Sequence, residues 1–198
     1  MKCAYKKVQK NKQLDAVSES ILTIYKGISV VALRELFNFG FKRFSRYCEE
    51  VVVDAEVSFM HYQEDGEDGR SEGVLSAYYA MRRTVKDIGV DLDEIERSLR
   101  YETYARQYGG KNTQERVADR VEYLRSSEKA VGVLWMLSML WLHDECGFGI
   151  TRLSRYYRKC REMLVEGFAT PYLHLDNAGA TKFVNDLVKK CEDYGVMV

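Results

Sequence analysis

The sequence predicts an all-α fold of about seven helices, internally duplicated as a helix–turn–basic helix–helix unit with pseudo-twofold symmetry. Three observations carry this. The stretch from Leu33 to Tyr47 (LRELFNFGFKRFSRY) returns 109 residues later from Leu142 to Tyr156 (LHDECGFGITRLSRY), with seven of fifteen positions identical. Apolar residues recur at three- and four-residue spacing along most of the chain, which is the periodicity of one helix face. The 198 residues contain a single proline, Pro171, so breakers of helical structure are scarce.

The first helix is expected over 13–37, on the stripe Leu14, Val17, Ile21, Leu22, Ile24, Tyr25, Ile28, Val31, Ala32, Leu36 and Phe37. Asn38-Phe39-Gly40 ends it, because Asn and Gly tolerate the left-handed backbone that closes a helix and Phe39 can fold back on the last turn. The next helix is expected over about 41–59. Phe41, Phe44, Cys48, Val51, Val52, Ala55 and Phe59 face inward, and Lys42, Arg43, Arg46, Glu49 and Glu50 point away. The β-branched run Val51-Val52-Val53 continues this stripe and is not read as a strand. His61 to Gly73 is acidic and glycine-rich and reads as an exposed loop. Helices follow over about 74–88 and 92–108, the first ending at Gly89-Val90, a stop followed by an apolar anchor. Gly109-Gly110-Lys111-Asn112 then bridges to the second copy, with Asn112 or Thr113 as its helix cap. There the apolar run Ala130 to Leu142 forms the core helix, a basic helix follows the second Phe-Gly turn, and helix 179–194 ends at Gly195-Val196. Copy one is thus placed at 13–90, a connecting segment at 91–114, and copy two at 115–198.

Composition excludes more than it assigns. Lys+Arg and Asp+Glu both number 30, so a basic surface must arise from segregation of charge. Five cysteines, an odd count with no C-x-x-C pair, fit a reducing cytosol. The first twelve residues carry five lysines and no apolar stretch after them, so no signal peptide is expected. The run 130–142 falls short of the roughly 20 apolar residues of a membrane span, so no membrane partner is expected. It reads as a buried helix, and Trp135, Met136, Met139 and Trp141 leave room for a homodimer seam.

No nucleophile elbow, P-loop or dinucleotide fingerprint is present, and three histidines offer no catalytic set, so the chain reads as a non-enzyme without cofactor. His143 and Cys146 are three apart, but a closed zinc site needs four ligands, so no metal is expected. The acidic run Glu64 to Asp68 fails the calcium-loop pattern, since the sixth residue from Asp65 is Arg70. The candidate contact residues are Lys42, Arg43, Arg46, Arg152, Arg155, Arg158 and Lys159. Arg43/Arg46 and Arg152/Arg155 are each three apart and share a helix face just past a Phe-Gly turn, with Tyr47, Tyr156 and Tyr157 alongside. Such a helix can follow phosphates or enter a groove. The competing reading pairs these arginines with acids on the preceding helix, such as Glu35 and Asp144, to lock the hairpin.

Asp144-Glu145-Cys146-Gly147-Phe148-Gly149 followed by Arg152-Leu153-Ser154-Arg155-Tyr156 resembles a segment of small helical proteins of Gram-positive prophages, in which a Phe-Gly-Phe-Gly-type turn precedes a basic helix. The resemblance covers about twenty residues per copy. Copy one departs from it, with Asn38 for the first glycine and no acidic pair. It implies a phage accessory protein acting in the cytoplasm of the bacterial host. The expected function is accordingly an inhibitor of a host defence nuclease of the CRISPR type. The alternatives are a DNA- or RNA-binding regulator using paired basic helices and a phage assembly oligomer.

Overall fold

The computed structural model describes residues 23–52, 72–98, 132–164 and 177–197. All regular structure among them is helical, and the fold is all-α. We label the elements α1 (23–37), α2 (Phe41–Tyr47, continued by a π-helical turn Cys48–Val52), α3 (Glu72–Asp87), α4 (Leu92–Ser98), α5 (132–144), α6 (Ile150–Leu164) and α7 (Asn177–Asp193). The expected helical residues 13–22 and 53–59, most of the acidic loop, and the Gly-Gly bridge with its cap lie outside the described residues. Helix α3 begins two residues earlier than the sequence pattern suggests, so Glu72 and Gly73 belong to it.

One hydrophobic core joins these helices, and α1 and α5 supply its centre. Tyr25, Ile28, Val31, Ala32 and Leu33 are fully buried on α1, as are Trp135, Met136, Met139 and Leu142 on α5. Helix α7 approaches α1 so closely that a Cβ on Gly27 would lie 2.5 Å from Leu187 Cδ2. The adjacent Cys191 thiol contacts the Gly27 carbonyl at 3.7 Å. Burial pushes the Cys191 thiol up to about 12 and the Cys160 thiol higher still, so both stay protonated and pack as small apolar groups.

Within this core sits a cluster of hydroxyls. Tyr47 Oη meets Ser138 Oγ at 2.8 Å and Tyr25 Oη at 3.0 Å. Tyr25 Oη also meets Ser138 Oγ at 2.8 Å, and Ser138 Oγ donates to the Leu134 carbonyl at 3.0 Å. Tyr156 Oη donates to Ser29 Oγ at 3.1 Å. The contacts are reciprocal. Offset by 109 residues, Tyr47 becomes Tyr156 and Ser29 becomes Ser138, so each tyrosine reaches the serine of the other segment. The sequence reading set Tyr47, Tyr156 and Tyr157 beside the basic outer face, whereas all three are fully buried. Tyr47 falls on the same helical stripe as Phe44 and Val51, and that phase, rather than the adjacent arginine, decides its direction. Phe41 departs in the opposite sense. Expected inside, it is 67% exposed at the first position of α2, close to Gly195.

Helix α4 is fixed by polar contacts. Asp91 caps it, its Oδ1 accepting from the Glu94 backbone N–H at 3.0 Å. Arg82 of α3 reaches Glu96 at 2.8 Å and also pairs with Asp93, while Tyr157 Oη donates to Glu96 at 2.6 Å. These bonds tie α3, α4 and α6 together through one carboxylate.

Removing a partner from a buried hydroxyl leaves a desolvated polar group, at about 1–3 kcal/mol. Ser29→Ala is therefore expected to destabilise the protein by roughly that amount, and an unchanged urea midpoint would contradict this role for Ser29. Burial also raises the phenols of Tyr25, Tyr47 and Tyr156 above their ordinary value of 10.0. The unfolded chain ionises these groups first, so their contribution is complete below pH 10 and falls as pH climbs through the higher folded values. On alkaline titration, part of the tyrosinate absorbance is expected to appear only as near-ultraviolet circular dichroism is lost.

Candidate nucleic-acid interface

The two Phe-Gly turns are closed by the same hydrogen bonds. Phe39 N–H donates to the Leu33 carbonyl at 3.4 Å, and Phe148 N–H to the Leu142 carbonyl at 3.0 Å. Each turn needs one left-handed residue, supplied by Asn38 (φ 52°) and Gly147 (φ 64°). Past the turn, the Gly40 carbonyl accepts from Arg43 and Phe44, and the Gly149 carbonyl from Arg152 and Leu153. The Phe-Gly turn is thus a stop for one helix and a start for the next. It forces the phenylalanine between them to turn inward, and both Phe39 and Phe148 are buried.

Those two rings meet edge to face, with centroids 6.2 Å apart, and Phe37 packs on Phe148 at 4.8 Å. Three guanidinium groups stack on this aromatic cluster: Arg43 over Phe39 at 5.5 Å, Arg152 over Phe148 at 5.4 Å, and Arg155 over Phe37 at 6.0 Å. Cation–π contact orients a guanidinium without neutralising its charge. All three arginines are exposed, as are Lys42 and Arg158. Among the described residues, none of these five cations makes a salt bridge.

The other two candidate residues are tied down. Arg46 binds Glu50 at 2.7 Å and Glu145 at 2.5 Å and lies over Trp141, whose indole N–H donates to Glu50 at 2.7 Å. Hydrogen bonds from Arg46 and then Trp141 hold the Glu50 carboxyl below its usual range. Lys159 binds Glu35 at 3.0 Å, with Lys190 at 3.6 Å on the other oxygen. Burial pushes the Glu35 carboxyl upward, but Lys159 and Lys190 outweigh it and hold the group low. The acids that lock the hairpins are therefore not those expected. Glu35 serves lysines rather than an arginine, and Asp144 bonds His143 at 2.7 Å.

That bond also occupies one nitrogen of the His143 ring. Burial raises the Cys146 thiol. Among the described residues no group of three or more His, Cys, Asp or Glu side chains could hold a metal ion. No helix among them is long and apolar enough to cross a membrane. The acidic run Glu64 to Asp68 lies outside the described residues. Sequence reasoning missed the aromatic floor beneath the arginines. Its signal was present in Phe37, read as part of the first helix's apolar stripe, and in Phe39 and Phe148, read as turn residues.

No family model, curated protein or solved structure matches this chain.

The two kinds of arginine are separable in solution. Arg46→Ala is expected to lower stability by an amount that shrinks as salt is added, because it breaks two exposed ion pairs. Arg43→Ala makes no such pair, and its effect on stability is expected to be independent of salt. Thermal unfolding of both variants at low and high salt checks this, and identical salt profiles would refute the division.

Proposed function

We propose that this is a non-catalytic binding protein whose contact face is the junction of the two Phe-Gly turns, and that its partner there is a nucleic-acid backbone. One observation carries the reading: Arg43, Arg152 and Arg155 are exposed, stacked on a single phenylalanine cluster, and matched to no carboxylate among the described residues. Stacking limits side-chain freedom before binding, so less entropy is lost when a phosphate is engaged. Arginine forks suit phosphate oxygens, and contacts of this kind set position rather than sequence choice. The reciprocal hydroxyl bonds and matched turns support reading the chain as two copies about a pseudo-dyad. The two basic helices start from rings only 6.2 Å apart. Paired recognition helices in successive major grooves lie about 34 Å apart, so this junction would grip one stretch of backbone.

A second reading follows the prophage resemblance, with the protein acting in the bacterial cytoplasm as an inhibitor of a host defence nuclease. It is favoured by Phe41 and Ile150, matched first positions of α2 and α6 that remain 67% and 53% exposed. Large exposed apolar side chains beside arginines resemble the anchors of a protein interface.

Fluorescence anisotropy with labelled DNA at two salt concentrations tests the first reading. Binding is expected to weaken steeply with salt, as counterions are released from neutralised phosphates. The triple variant Arg43→Ala/Arg152→Ala/Arg155→Ala is expected to lose most of it while remaining folded. Absence of binding at low salt would remove the nucleic-acid reading and leave the inhibitor reading, tested by co-purification with a defence nuclease.

A further inference from the structure

The two basic helices occupy matched places, but they do not carry matched charge. On α6 the positions 152, 155 and 158 are Arg, Arg and Arg, spaced three apart on the open side of the helix. The corresponding positions on α2 and its π-helical turn are Arg43, Arg46 and Glu49. The middle arginine of that second row is neutralised by Glu50 and Glu145, and the third position is an acid. Its counterpart Arg155 lies over the Phe37 ring and makes no ion pair among the described residues. Among the described residues α6 therefore presents three guanidiniums without a carboxylate partner, where α2 presents Arg43 and the ammonium of Lys42.

We propose that α6 is the main helix tracking the phosphate backbone, through Arg152, Arg155 and Arg158, while α2 serves chiefly as its structural counterpart. This rests on the nucleic-acid reading above. At 1.5 Å per residue the row spans about 9 Å along the helix axis. One strand of a duplex advances about 3.4 Å per phosphate, so the row faces two to three successive phosphates. Glu162 closes the row one turn beyond Arg158, and it is the only acid on α6. Lys159 is withheld by Glu35, which leaves the row a single line. Arg43, at the junction, adds one contact from the neighbouring helix.

The test is the slope of log affinity against log salt for the full-length protein, with random-sequence double-stranded and single-stranded DNA as separate probes. Each lost phosphate contact lowers the slope by about 0.9 on duplex and about 0.7 on a single strand, and the probe whose losses match its own coefficient identifies the form of nucleic acid gripped. Arg155→Gln and Arg158→Gln are each expected to produce one such loss, Arg158→Lys to keep the full slope, and Arg46→Gln to change nothing. Arg158 is exposed and makes no ion pair or ring contact among the described residues, so its variant is expected to leave the fold intact. A wild-type protein that binds DNA, with an equal loss in Arg46→Gln or no loss in Arg158→Gln, overturns the assignment to α6. A wild-type protein that binds neither probe overturns the nucleic-acid reading itself.

Discussion

The reciprocal hydroxyl bonds are the constraint on which the rest of the structure depends. Apolar packing is non-directional, and α1 and α5 could slide past one another by a helical turn and still bury comparable surface. Tyr47 on Ser138 and Tyr156 on Ser29 allow no such slip, since a displaced register leaves buried hydroxyls without partners. With this register set, the last turns of α1 and α5 finish side by side. Phe39 and Phe148 then come into contact, and the exposed arginines acquire their common floor.

The same frame explains why equivalent residues have taken different work. Arg46 and Arg155 occupy matched helical positions, yet one is held by two carboxylates and the other by a ring. The difference lies in the neighbours. Trp141 and Glu50 make a polar niche for Arg46, and the Phe37 ring meets Arg155 instead. An arginine with carboxylates in reach secures its hairpin, and one facing a ring stays exposed. Arg82 with Glu96 and Tyr157 does comparable securing work for α4.

Much of the fold was legible because helix stops are chemically distinctive. Asn38, Gly89, Gly147 and Gly195 all take positive φ, each where the sequence marked a helix end. Val90 and Val196 are buried as the anchors that follow two of them. The apolar run that became α5 was equally plain. What escaped sequence reading depends on facing. Phe41 was placed inside by its hydrophobicity, but the first residue of a helix has no preceding turn to cover it. Tyr47 and Tyr156 were placed outside by their neighbours, although their helical phase pointed inward. The π-helical turn Cys48–Val52 has no sequence signature in the pattern of apolar residues, because one extra residue per turn shifts the phase without changing composition. For the site, the arginines could be named from sequence. Their division into tied and exposed sets could not, because Glu145 lies 99 residues from Arg46 and the ion pair exists only once α2 and α5 are packed.

The two tryptophans sit on either side of this division. Trp135 is sealed in the core against Tyr157, and its indole N–H has no acceptor among the described residues. Trp141 is partly exposed, bonded to Glu50 beneath Arg46 and set edge-on to Tyr47. An apolar sheath around one indole and a charged neighbour on the other should separate their emission, the first to the blue and the second to the red. The molecule therefore carries two intrinsic optical reporters. One follows the integrity of the whole core, and the other follows the ion-paired junction of Arg46, Glu50 and Glu145, each without any added label.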